Sequence, residues 1–132
     1  MDRLGVGFTE ELSFARVSYF PEKGVLHTHL FAGSEIDHAM SMQTLEIAIR
    51  LTGGQKYRSL VTMEDNVSLT SEARAVGASE QSTRPLIAQA IVVSSLATRL
   101  LGNFFIRFNK PPNPTRIFSK TNDALDWLLD SN

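Results

Sequence analysis

The sequence predicts one α/β domain, residues 1–132, in which an N-terminal hairpin joins a mostly parallel sheet flanked by helices. Three observations predict it: a length of 132 residues, an ordinary balance of 42% hydrophobic and 20% charged residues, and strand-like segments that alternate with helix-like ones after Gly33. Two separate cores would each be marginal at this length. Alternating strands and helices need crossover connections, which give parallel strand pairs. The predicted order of elements is ββαβαβαβα.

The first two predicted strands, residues 12–20 and 25–31, form a hairpin. Both are rich in residues that favour strands, and only the sequence Pro-Glu-Lys-Gly at residues 21–24 separates them. Such a short connection joins antiparallel strands. Gly33 then ends the second strand.

The first helix is predicted between Ser34 and about Leu51. Ser34 and Asp37 resemble a helix start with an acidic first turn. The Gly-Gly pair at residues 53–54 is a common signal for the end of a helix.

The middle of the chain continues the alternation. A third strand covers residues 57–63, and a second helix runs from about Ser71 to Gln81, before Pro85. Residues 86–94 form the most strand-like run, LIAQAIVVS. Its nearly continuous apolarity predicts a strand that is covered on both faces.

A third helix is predicted over residues 96–108, followed by a short strand at 116–118 and a final helix that Thr121 caps and that runs to Leu129. The third helix is apolar over about half its circumference, wider than the roughly 100° arc that a helix on a sheet needs. The excess can be covered by neighbouring helices and the proline-rich segment, by a second subunit or another partner, or by a lipidic ligand or membrane surface. We expect a homodimer, and the candidate interface residues are Leu101, Phe104, Phe105 and Phe108.

Composition narrows the classes of function. The formal charge of −1 gives no field that would attract nucleic acid, and the absence of cysteine excludes disulfides and thiolate metal sites. The first ten residues hold no signal-peptide core, and the longest apolar run, 86–98, is shorter than the roughly 20 residues of a membrane span. We therefore expect a soluble cytoplasmic protein. No cofactor-binding glycine motif follows a strand, so no cofactor is predicted.

His27 and His29 are the first candidates for chemistry. Residues two apart in a strand face the same side, so both imidazoles project together. Two histidines at this spacing can share a metal ion, but a catalytic zinc site needs a third protein ligand. His38 is the only other histidine, and nothing in the sequence fixes its approach. The pair is a weak metal candidate, and the polar face of a hairpin strand is the simpler interpretation.

A second set of candidates follows the third strand. Glu64 and Asp65 lie at its carboxyl end, where ligands bind in open α/β sheets; a solvated turn is the alternative. Ser68, Thr70 and Ser71 precede the second helix, where hydroxyls cap free backbone amides. The helix dipole would also favour a phosphoserine at this position.

Two segments resemble the STAS domain, the fold of anti-sigma-factor antagonists. Residues 26–45, LHTHLFAGSEIDHAMSMQTL, are similar to the strand, glycine-containing turn and first helix of that family. Residues 60–76, LVTMEDNVSLTSEARAV, are similar to its third strand, switch loop and second helix. The resemblance covers most of the chain and extends to small SpoIIAA-like bacterial proteins, which share their fold with CRAL-TRIO lipid-binding domains. It implies a SpoIIAA-like fold and a role in binding.

In phosphoswitch members of this family, an Asp-Ser pair opens the second helix and a partner kinase phosphorylates the serine. The pair matches Thr70-Ser71 here, so the resemblance implies Ser71 as the phosphoacceptor. The acidic residue before it is missing, and Glu72 places a like charge beside any phosphate.

Three functions remain open. The first is a non-catalytic regulatory module that docks a protein partner through the switch loop and the third helix. The second is a small lipophilic-ligand-binding protein, which needs an enclosed pocket of about 300 Å³. The third is an enzyme that uses His27, His29 or Glu64, for which the sequence names no convergent nucleophile, base and orienting group.

Overall fold

The computed structural model of the chain describes residues 2–95 and 111–131. The strands of its main sheet are β1 (Phe8–Glu11), β2 (Ala15–Phe20), β3 (Val25–Leu30), β5 (Tyr57–Met63), β7 (Leu86–Val92) and β8 (Thr115–Phe118). A second, two-stranded sheet pairs β4 (Glu35–Ile36) with β6 (Ser68–Leu69) in parallel. The order across the main sheet is β1-β2-β3-β5-β7-β8, antiparallel from β1 to β3 and parallel from β3 to β8. The predicted hairpin and parallel layer are confirmed.

The helices of the described residues are α1 (His38–Thr52), α2 (Ser71–Ala78), α3 (Glu80–Thr83) and α4 (Thr121–Leu129), after a 3-10 turn at Asp2–Leu4. Asp37 caps α1, because its side chain accepts a hydrogen bond from the Met40 amide at 2.9 Å. Gly53 ends α1 with φ 65°, a left-handed conformation that glycine adopts without strain. The predicted end of the first helix at the Gly-Gly pair is confirmed, but its predicted start at Ser34 is wrong, because residues 35–36 form β4 and Asp37 is the cap rather than part of the first turn.

Consecutive residues of β3 point to opposite faces of the sheet and pack into two separate hydrophobic cores. Val25 packs with Leu60 and Leu125 beneath α4, whereas Leu26 packs with Ile47 beneath α1. Burial of an aliphatic side chain of this kind stabilises the fold by about 1.5–3 kcal/mol. The main sheet is therefore covered by α1 on one face and by α4 on the other.

The structure corrects the prediction at the N-terminus. The edge strand β1 was not predicted, and β2 begins at Ala15 rather than at residue 12. Leu12 donates from its backbone amide to the Ala15 carbonyl at 2.7 Å, which closes the turn between the two strands. The β1 sequence, Phe-Thr-Glu-Glu, is largely exposed on both faces and lacks the alternation that marks a half-buried strand.

Two further predictions on helices are wrong. The helix predicted over residues 71–81 is two helices, because Ser79 has an extended backbone, ends α2, and caps α3 by accepting a hydrogen bond from the Ser82 amide. Thr121 is the first residue of α4 rather than its cap. Lys120 holds the cap position and makes no side-chain capping bond.

The predicted third helix and the interface candidates Leu101, Phe104, Phe105 and Phe108 lie outside the described residues. The homodimer therefore stays a prediction. Within residues 2–95 and 111–131, no helix combines the length and apolarity needed to cross a membrane.

Candidate functional site

A cavity of about 340 Å³ lies near the carboxyl ends of the parallel strands β3, β5 and β7. Its volume suits a small molecule, and the carboxyl edge of a parallel sheet is where ligands bind in open α/β folds. The described residues that line it are His27, His29, Thr62, Met63, Val92, Ser94, Ser119 and Thr121.

Thr62 is the centre of a hydrogen-bonded group in this cavity. Its Oγ1 lies 2.7 Å from His27 Nε2 and 2.7 Å from His29 Nδ1. His29 Nε2 lies 2.8 Å from Glu64 Oε2, and Glu64 Oε1 accepts a hydrogen bond from the Ala32 amide at 3.1 Å. We refer to the four side chains of His27, Thr62, His29 and Glu64 as the polar cluster.

Strand register explains why these side chains meet. His29 is the partner of Thr62 in the parallel pair of β3 and β5, and His27 precedes His29 by two residues on the same face. Glu64 follows β5 two residues after Thr62, which brings its carboxylate to the same side of the sheet.

The charges within the polar cluster are fixed by hydrogen bonding and burial. The hydrogen bonds from His29 and from the Ala32 amide lower the pKa of Glu64, so its carboxylate is ionised at neutral pH. Burial lowers the pKa of His27 to about 4, with a smaller contribution from neighbouring His29, so His27 is neutral there.

Glu64, His29 and Thr62 stand in the carboxylate, imidazole and hydroxyl order of a catalytic triad. However, Thr62 is only 7% exposed, and its hydroxyl is already bonded to two imidazoles. A substrate carbonyl has little access to an oxygen in this position. The geometry therefore disfavours nucleophilic attack by Thr62.

The two imidazoles are not aligned as a pair of metal ligands. Both point to the Thr62 hydroxyl, and their ring centroids are 6.0 Å apart. Among the side chains that the structure describes, no group of three or more His, Cys, Asp or Glu residues is placed to hold a metal ion. Among the described residues, no third metal-binding side chain is therefore placed to join His27 and His29 at one ion.

The adjacent carboxylates of Glu64 and Asp65 accept hydrogen bonds from different partners. Glu64 bonds to β3 and its loop, whereas Asp65 Oδ1 accepts a hydrogen bond from Ser94 Oγ at 3.4 Å. Glu64 and Asp65 also line a second cavity, of about 380 Å³, which shares Met63 and Ser94 with the first. The two carboxylates therefore bond to different parts of the protein, although both line the second cavity.

The hydroxyls of the predicted switch loop line neither of these two cavities. Thr70 caps α2 by accepting a hydrogen bond from the Ala73 amide at 3.1 Å, and Ser68 lies exposed in β6. Ser71 is the exposed first residue of α2, and its Oγ donates to Glu72 Oε2 at 2.8 Å. Phosphorylation of Ser71 stays a prediction.

Four polar residues of the cavity were not recognised as ligand-site candidates in the sequence: Thr62, Ser94, Ser119 and Thr121. One signal was available for Thr62. It lies two residues after the fully buried Leu60, so it is a polar residue on a buried strand face, where a hydrogen-bonding partner is required.

A family model described as "Domain of unknown function (DUF7793)" matches residues 19–132. The chain belongs to this family. Among solved structures, this DUF7793 chain is similar to an uncharacterised protein of the DUF3478 family from Shewanella loihica PV-4, which has a SpoIIAA-like fold. The TM-score is 0.61 at 17% identity, over 93% of this chain and 92% of the other. At this identity the likeness shows the fold alone, and it confirms the predicted SpoIIAA-like fold.

A second solved structure is a protein with unknown function from Arthrobacter sp. FB24, 26% identical to the DUF7793 chain. The alignment covers 80% of this chain and 91% of the other, but its TM-score of 0.28 carries no structural argument. No curated protein matches the chain.

Proposed function

We propose that this DUF7793 domain is a non-catalytic, regulatory binding module whose ligand is a small polar molecule. The observation that carries the proposal is the convergence of side chains from β3, β5, β7 and the start of α4 on one cavity of about 340 Å³. Six of its eight described lining residues have hydrogen-bonding side chains; only Met63 and Val92 are apolar. Ligand pockets combine apolar lining with a few placed polar groups that fix the orientation of the ligand, and these six side chains can supply such groups to a ligand that has polar groups of its own.

Two hydroxyls in the cavity are available to such a ligand. Ser119 and Thr121 line it, and among the described residues neither side chain has a hydrogen-bonding partner in the protein. An apolar ligand would take these hydroxyls out of water without replacing their hydrogen bonds, which costs free energy. A ligand with several polar groups avoids that cost.

The regulatory part of the proposal is supported by hydrogen bonds that join the cavity to an exposed edge. Glu64 accepts from the Ala32 amide, and the Gly33 amide donates to the Asp65 carbonyl at 3.0 Å. The loops after β3 and β5 are thereby tied together, and they lead to β4, β6 and the start of α2. A ligand that moves Glu64 would act on this edge, where we place the docking of a protein partner.

A screen of small polar compounds by NMR tests the proposal. At about 1 mM, a compound that binds with about −4 kcal/mol is half bound. We expect at least one compound to shift the signals of His27, His29 and Thr62 and to slow hydrogen exchange of the Ala32 amide. The substitution His27→Phe should abolish the effect, whereas His38→Phe, at an exposed site outside the cavity, should preserve it.

Two results would contradict the proposal. One is a screen in which no polar compound perturbs the polar cluster. The other is a response to medium-chain fatty acids alone, which would favour a lipophilic ligand instead.

A further inference from the structure

The directions of the hydrogen bonds in the polar cluster follow from the chemistry of its members. An ionised carboxylate only accepts, so His29 Nε2 carries the hydrogen that it shares with Glu64. In a neutral His29, Nδ1 is then an acceptor and takes the hydroxyl hydrogen of Thr62. A hydroxyl has only one hydrogen, so His27 Nε2 must be the donor to Thr62 Oγ1.

These bond directions determine the state of Nδ1, the other ring nitrogen of His27. A neutral imidazole has one N–H group, and in His27 this group is Nε2, so Nδ1 bears a lone pair. Within the described part of the chain, the Nδ1 atom has no hydrogen-bonding partner, and His27 lines the cavity. His27 thus has one acceptor nitrogen without a partner among the described residues, on a ring that belongs to the cavity lining.

We propose that His27 Nδ1 selects ligands that present an N–H or O–H donor, and that Glu64 sets this preference through His29 and Thr62. This inference rests on the proposed function, because it names the ligand chemistry of the same cavity. A group that only accepts, such as a carboxylate or a tertiary amide, would place its lone pairs against that of Nδ1. Thr62 and Glu64 act as positioning residues, because they determine the tautomer of His27 without themselves selecting the ligand.

The tautomers are measured from the ring nitrogen chemical shifts of the ligand-free protein. The measurement is made at about pH 8, far above the pKa of about 4 at which His27 would gain a second hydrogen. We expect both His27 and His29 to carry their hydrogen on Nε2. A His27 hydrogen on Nδ1 would overturn the inference, whether or not any ligand is known.

Three variants separate this coupling from a merely structural role. Thr62→Val keeps the shape of the side chain but removes the hydroxyl, so His27 should become a mixture of tautomers, whereas Thr62→Ser should keep the single tautomer. Glu64→Ala, at an exposed residue, should also give a mixture without altering the interior. An unchanged His27 tautomer in both Thr62→Val and Glu64→Ala would refute the coupling; if Thr62→Val does not fold, Glu64→Ala decides.

Donor selection is tested with acetamide and N,N-dimethylacetamide, which differ in their N–H groups. Loss of one hydrogen bond should weaken binding about tenfold for the dimethyl compound. Equal binding of the two probes would overturn the selection. If neither probe nor any library compound binds while the tautomers are as expected, the proposed function fails and the selection with it. The tautomer result distinguishes that failure from a failure of the coupling.

Discussion

His27 Nε2 lies 2.7 Å from Thr62 Oγ1, although the two residues are 35 positions apart in the chain. They meet because β3 and β5, which α1 connects, lie side by side in parallel. A slip of one residue in this pairing would turn one of the two side chains to the opposite face. The chemistry of the cavity therefore depends on the register of two strands.

Because the partly buried His27 is neutral in the folded protein, we predict that the domain loses stability in mild acid. Its pKa falls from 6.5 in the unfolded chain to about 4 in the folded protein, mainly through burial. Between these values the unfolded state binds a proton that the folded state does not, so the free energy of unfolding decreases as pH falls from about 6.5 to about 4. The full loss is about 3 kcal/mol, at 1.36 kcal/mol per pKa unit.

Urea denaturation at neutral pH and at about pH 4.5 measures this loss. His27→Gln cannot titrate and should flatten the pH dependence over the range that His27 controls. His38→Gln, at an exposed position at the start of α1, is the matched control and should retain the slope. A wild-type domain that is equally stable at both pH values would contradict the prediction.

The hydrogen bonds of Arg58 lead to a second, independent prediction, which concerns the free energy of unfolding. Its Nε and Nη2 donate to the Ser131 carbonyl at 3.1 and 2.6 Å, and its Nη1 donates to the Lys23 carbonyl at 3.2 Å. The guanidinium thus links β5 to the end of α4 and to the turn between β2 and β3. Arg58→Met keeps the aliphatic stem but removes these charged donors, and should lower the free energy of unfolding by about 2 kcal/mol.

Arg50→Met is the control for Arg58→Met. Arg50 pairs with Glu10 on the surface, and such pairs contribute about 0–1 kcal/mol. Chemical denaturation of both variants should show the larger loss for Arg58→Met, and equal losses would argue against a structural role for the Arg58 contacts.

A third prediction on stability concerns Gly7, because the structure leaves no room for a side chain at this position. A Cβ at this position would lie 2.5 Å from Cε1 of the buried Phe20 ring. We expect Gly7→Ala to destabilise the fold by about 1–3 kcal/mol through overpacking. Gly77→Ala in α2 meets nothing within 4 Å and should instead stabilise the helix by about 1 kcal/mol. Thermal melting of the two variants should show shifts of opposite sign.

A fourth prediction concerns the pKa of Glu72, which depends on its hydrogen bond with Ser71. The hydrogen bond from Ser71 Oγ is the largest cause of the lowered pKa of Glu72. Ser71→Ala should raise that pKa toward its ordinary value and change stability by less than about 0.5 kcal/mol, because the site is exposed. Carboxyl carbon shifts of Glu72 during a pH titration measure the first effect. An unaltered titration would show that the Ser71 bond is not formed in solution.

The elements with strong local signals could be predicted from the sequence. The hairpin, the end of α1 at Gly53, and the buried strand β5 follow from residue periodicity and turn residues that lie within a few positions of each other. The edge strand β1 could not, because exposed polar residues carry no alternation. The break at Ser79 also escaped, since Val76 and Ser82 stabilise it through contacts that a helical pattern does not reveal.

The sequence by itself determined that His27 and His29 share one face of a strand, because alternation along a strand is a local property. Only the tertiary structure decided that both rings meet Thr62 and that Glu64 orients one of them. The physical reason is that strand pairing is non-local: the side chain opposite a residue depends on which strand lies beside it and in which register. The hydrogen-bonding character of the cavity follows from that register and from burial, which no single segment encodes.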